Sequence, residues 1–109
     1  MEHFYPLLFE PNLHETVWGG DRLTTWKNLP AHASPVGESW EVSAVPSSIG
    51  IVANGPYKGT DLVSLINRSP EAILGGQVSR QYKGKMPLLV KLIDAQRDLS
   101  IQVHPNDEM

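Results

Sequence analysis

The sequence predicts a mainly β domain with two short helices packed to one side, on three observations. Nine glycines and nine prolines interrupt the 109 residues too often for long helices. Side chains alternate in character at period two from Glu38 to Ser43, and again from Leu99 to His104. An apolar run, Met86 to Asp94, leads through the polar connection Ala95–Asp98 into the second alternating stretch, which is the pattern of a hairpin.

Taken in order, residues 1–16 are an extended, proline-punctuated entry in which Tyr5–Phe9 reads as a short strand. Gly19-Gly20 predicts a turn, and Asp21–Trp26 about two helical turns before Pro30. Residues 27–36 read as loop. In Glu38–Ser43, Glu38, Trp40 and Val42 share one strand face, and Ser39, Glu41 and Ser43 the other. Ser48–Ala53 reads as a further strand, closed by the turn signal Asn54-Gly55-Pro56. Thr60 is the expected cap of a helix with the apolar stripe Leu62, Leu65 and Ile66. Ser69-Pro70-Glu71 opens a second helix, which Gly75-Gly76 ends.

Composition narrows the function. Nine basic and twelve acidic residues give a net charge of -3 without a basic stripe, which argues against nucleic acid as a partner. There is no cysteine, so any metal must be held by imidazole, carboxylate or amide oxygen. No apolar run approaches the ~20 residues of a membrane helix and no basic leader opens the chain. The expectation is a single domain with no membrane partner, in the cytoplasm.

The chemistry concentrates in the last thirty residues. On the strand Leu99–His104, Ser100, Gln102 and His104 point to one side at intervals of about 7 Å. An amide oxygen and an imidazole nitrogen so placed can reach one ion, although the same pattern also describes a solvated outer face. Lys91 is the polar residue within Pro87–Ile93, and Leu89 and Ile93 flank it on its own face. That predicts a partly shielded ammonium, suited to proton transfer or to gripping an anion. The alternative is a lysine that blunts an edge strand. Trp18, beside Gly19-Gly20, could lie against a sugar or pack into the core. Glu38 and Glu41 lie on opposite faces, and Glu38, with Trp40 on the more apolar side, is the better candidate for a buried, functional carboxylate. His3, His14 and His32 lack metal-ligand spacing and read as surface residues.

These segments resemble the type I mannose-6-phosphate isomerases, in their shorter bacterial form. The resemblance runs through Tyr5-Pro6-Leu7, Val17–Gly20, Gly37–Ser43 and Val52–Pro56 to Pro87–Ala95 and Leu99–Pro105. The last two segments carry most of its specificity. It implies a cupin-type (RmlC-like) β-barrel or jelly roll with zinc inside, and interconversion of mannose 6-phosphate and fructose 6-phosphate. Within the motifs, Gln102 and His104 match metal ligands, and Lys91 and Ser100 match positions near the substrate. Glu38 matches an acid of the pocket.

The family's other two ligands, a glutamate and a histidine, lie further along than Met109. Two neutral ligands on one strand are too few for a tight zinc site. The expectation is therefore an N-terminal portion of the isomerase domain, residues 1–109, inactive alone and weak or empty for zinc. Open strand edges would favour a dimer or larger assembly. The rival reading is a non-catalytic, cupin-like module that binds a sugar or a metal.

Overall fold

The structure, a computed structural model, describes residues 4–98. Its organising layer is a three-stranded antiparallel sheet of β1 (Leu13–Gly20), β2 (Val36–Val42) and β3 (Val90–Ile93), in that spatial order. The predicted strand Leu99–His104, and with it the hairpin, lies outside the described residues. Among the described residues four short helices accompany the sheet: α1 (Arg22–Trp26), α2 (Leu62–Arg68), α3 (Pro70–Leu74) and α4 (Gly76–Gln81). No helix among the described residues is long and apolar enough to cross a membrane.

The core gathers Val36 of β2, Leu23 of α1, Val52, and the stripe Leu62, Leu65 and Ile66 of α2, all buried. Burying each such side chain contributes roughly 1.5–3 kcal/mol. The cap of α2 is Asp61 rather than Thr60. Its carboxylate accepts from the Ser64 backbone N–H at 2.8 Å and from the Ser64 hydroxyl at 2.7 Å, which also pulls its pKa below the ordinary value. Thr60 instead gives its carbonyl to Val52 N at 2.9 Å, tying α2 to the preceding segment. That segment and Tyr5–Phe9 are not full strands. They meet through the isolated bridge of Phe9 with Val52, and a second bridge joins Ile51 to Asp61.

The Asn54-Gly55-Pro56 turn forms as expected. Gly55 takes φ +69°, and a Cβ there would strike the Tyr5 ring. The Tyr5 hydroxyl donates to Asn54 O at 2.7 Å, pinning the entry segment to the turn. Gly75 (φ +82°) ends α3 as its sequence predicts, but the chain then enters α4, which local pattern did not announce.

Gly19-Gly20 is not a turn; both residues complete β1. Between Glu15 and Gly20 the strand bulges, because both residues pair with Val36. The bulge brings Gly19 against the Val36–Gly37 backbone, where any Cβ would collide. Gly37 in turn sits under Thr16 and 2.6 Å, measured from an added Cβ, from the Trp18 ring. Glycine here serves close backbone approach rather than reversal of the chain.

Candidate active site

Strand β2 sets the site, because its alternation sends Glu38 and Trp40 to one face and Ser39 and Glu41 to the other. Register completes each group. Glu38 lies opposite His14 on one side and Ile93 on the other, and Trp40 lies opposite Lys91. Residues paired across an antiparallel ladder share a face, so His14, Glu38, Trp40 and Lys91 converge.

Their contacts form one network. The Trp40 indole N–H donates to Glu38 Oε1 at 2.8 Å, and Lys91 Nζ donates to the same oxygen at 3.1 Å. The His14 imidazole stacks on the Trp40 ring, with centroids 4.0 Å apart and planes 14° from parallel. Asn12 and Ser48 anchor the far side: Asn12 Nδ2 donates to Ser48 O at 3.1 Å, and the Ser48 hydroxyl donates to Asn12 Oδ1 at 2.7 Å. The Ser48 proton is then committed, so the 3.1 Å contact between His14 Nε2 and Ser48 Oγ requires the proton on Nε2. Neutral His14 is thereby held as the Nε2–H tautomer.

Partial burial alone would raise the Glu38 pKa. The Trp40 and Lys91 hydrogen bonds, the Lys91 charge and the His14 charge together outweigh it, and the carboxyl titrates below its ordinary value. Glu38 is therefore an anion at neutral pH.

Lys91 differs from its expected setting. Leu89 and Ile93 are themselves 38% and 51% exposed, so among the described residues they do not shield the ammonium. Its side chain is 36% exposed and is satisfied by Glu38 instead. The two faces of β2 also differ from expectation. Ser39 and Ser43 are fully buried, whereas Glu38 and Trp40 are half-buried, so the small serines, not the tryptophan, mark the closed side. Glu41 on that side is held by Lys27 at 2.8 Å and by the Ser39 hydroxyl at 2.7 Å. These contacts outweigh burial and lower its pKa as well.

Trp18 is not brought to the Glu38 face. Its ring lies over Gly37, the neighbour of Glu38 in β2, and hence on the opposite side of the sheet. Ser100, Gln102 and His104 lie outside the described residues, as does His3. His32 is exposed. His14, read from sequence as a surface residue, is half-buried in the network; only strand register reveals it, because 24 positions separate it from Glu38. Trp40 was legible as a neighbour of Glu38, but its N–H contact was not.

Among the described residues no group of three or more His, Asp or Glu could hold a metal ion. Glu38 and His14 are already engaged by Lys91, Trp40 and Ser48, so the described face does not by itself fit a metal. An apolar hollow of about 530 Å³ lies elsewhere, lined by Ile49, Val63, Ile66 and Met86 among others. Its lining includes Asn67 and Lys85 but none of Glu38, Trp40 and Lys91.

Comparison with known proteins decides the family. A model of the type I phosphomannose isomerase catalytic domain matches residues 7–109. The chain belongs to that family. Mannose-6-phosphate isomerase ManA of Bacillus subtilis is 39% identical over 104 residues, covering 94% of this chain and 31% of that protein. The isomerase of Streptococcus mutans is 36% identical over 102 residues, with 94% and 31% covered. The crystal structure of the mannose 6-phosphate isomerase from Bacillus subtilis superposes with a TM-score of 0.80 at 37% identity, over 94% of this chain and 31% of that one. This chain spans about a third of the length of the curated relatives it matches. Phosphomannose isomerases have a cupin fold, and the sheet β1–β2–β3 is a partial version of its β-structure.

Proposed function

We propose that the chain forms the amino-terminal part of a cytoplasmic aldose–ketose isomerase that interconverts mannose 6-phosphate and fructose 6-phosphate with one zinc ion per complete subunit. The observation that carries this is the Glu38–Lys91 pair on the open sheet face, within a chain that the isomerase family matches from residue 7 to residue 109. Gln102 and His104 would hold the metal together with ligands from the rest of the isomerase domain. A divalent cation held there would supply stabilisation of negative charge on the sugar's carbonyl and hydroxyl oxygens. Glu38, kept anionic, accepts a hydrogen bond from a sugar hydroxyl. Lys91 supplies positive charge beside an oxygen that becomes negative along an enediol-like path. Ser100 serves the substrate, while Trp18 supports the site by packing on Gly37.

The test compares metal content and isomerase turnover in the 109-residue chain and in a chimera. In the chimera these residues replace the matching third of the Bacillus subtilis isomerase. The expected result is about one metal per chain and turnover of mannose 6-phosphate by the chimera, and neither by the chain alone. Turnover by the short chain would sink the shared-site reading. Metal and sugar phosphate retained by the chimera without turnover would favour a binding module instead.

The same reading extends to assembly. β3 lies at the edge of the described sheet and leaves Val90 and Ile93 44% and 51% exposed, which supports pairing of two copies along β3 when no other chain covers it.

A further inference from the structure

Glu38 can pair with Lys91 without any help from Trp40, and a phenylalanine would fill the ring's place as well. The indole N–H is nevertheless aimed at Glu38 Oε1 from two residues along the same strand, 2.8 Å away. Both donors meet on one oxygen, and among the described residues no donor reaches Oε2. A glutamate side chain with a single lysine partner keeps several rotamers, because the ammonium can follow it. A rigid second donor removes that freedom.

Trp40 is itself held through its backbone and through one face of its ring. Its backbone N–H donates to Asn12 O at 2.9 Å, and its ring carries the His14 imidazole at 4.0 Å. His14 is fixed by Ser48, and Ser48 by the side chain of the same Asn12. The chain of contacts closes on itself around the indole, whose N–H points at Glu38.

We propose that Trp40, braced by His14, is a positioning residue that locks the Glu38 carboxylate so that Oε1 is spent on Lys91 and the indole while Oε2 faces the substrate. The proposal rests on the isomerase reading for the identity of that substrate, a sugar-phosphate hydroxyl. The bracing itself is measurable in the chain without metal or sugar, so its failure is separable from failure of that reading, which the turnover assay decides.

The experiment is NMR on the 109-residue chain, with Glu38 labelled in its side chain and the Trp40 indole in nitrogen. In the parent chain the Trp40 Nε1–H resonance is expected to follow Glu38 protonation and to exchange slowly with water. Glu38→Gln is expected to abolish that dependence. Trp40→Phe, which keeps a ring beneath His14 but removes the donor, is expected to average the Glu38 side-chain couplings and shift its carboxyl titration upward. His14→Phe, which restores a ring over Trp40, should stay closer to the parent than His14→Ala. A merely structural tryptophan would leave the Glu38 couplings and titration unmoved in a folded Trp40→Phe chain, and that result overturns the proposal. If Trp40→Phe does not fold, the parent resonance alone decides: an Nε1–H that ignores Glu38 protonation overturns the proposal equally.

Discussion

Glu38 and Glu41 lie three residues apart on β2, face opposite ways, and each finds its own lysine: Lys91 for Glu38 and Lys27 for Glu41. Both carboxyls titrate below their ordinary values, so the unfolded chain binds protons more tightly than the folded one. Their stabilisation is complete above the unfolded glutamate pKa, about 4.3, and is lost as pH falls through the lower folded values. The thermal midpoint is therefore expected to drop below about pH 4. Lys27→Met combined with Glu41→Gln should flatten that drop, and an equally steep acid limb in the double variant would refute the assignment. Gly37 belongs to the same scale. A methyl group there meets Thr16 and the Trp18 ring, so Gly37→Ala should cost about 1–3 kcal/mol in a denaturant titration. Glu38 was legible as a candidate because its motif is local. His14 was not, because its role depends on a partner across the sheet.

At the scale of elements, short helices survive here through contacts made by other segments. Five-residue α1 has no side-chain cap of its own. Buried Asp94, just past β3, accepts from the first helical N–H, Arg22 N, at 3.0 Å, while its own N–H donates to Gly37 O at 2.8 Å. One residue thus joins α1 to the sheet beside Glu38. Asp94→Ala is expected to lower stability by about 1–2 kcal/mol, read from the shift in denaturant midpoint, with loss of protection at the Arg22 amide in hydrogen exchange. Protection unchanged at Arg22 would exclude the cap. Helix α2 was readable from its stripe, with Thr60 as the expected cap; the helix begins one residue later, at Leu62, so Asp61 stands at the cap position. Helix α4 was not readable, since its six residues bury none of their side chains fully and form a turn only beside α3.

The molecule as a whole is a slab, 46 × 39 × 18 Å, with a radius of gyration of 16.0 Å, where a closed domain of this length has about 13 Å. Among the described residues a single sheet flanked by helices has β1 and β3 as its edge strands, and the Glu38–Lys91 pair lies beside β3. Leu88, Val90 and Ile93 are exposed along the same border. If two copies meet there, Val90→Lys should shift the chain to monomer in sedimentation with stability within about 0.5 kcal/mol of the parent. Self-association that persists in this variant would place the interface elsewhere.

The sequence by itself determined the family, the β-rich class, the α2 stripe and the candidates Glu38 and Lys91, because these depend on local alternation, capping and motif order. Only the tertiary structure decided that Gly19-Gly20 is a site of close approach, that Trp18 and Glu38 lie on opposite faces, and that His14 and Trp40 converge on Glu38. Those facts follow from strand register. A bulge of a few residues between Glu15 and Gly20 sets which side chains share a face, and no local pattern in the chain encodes the partner across a ladder.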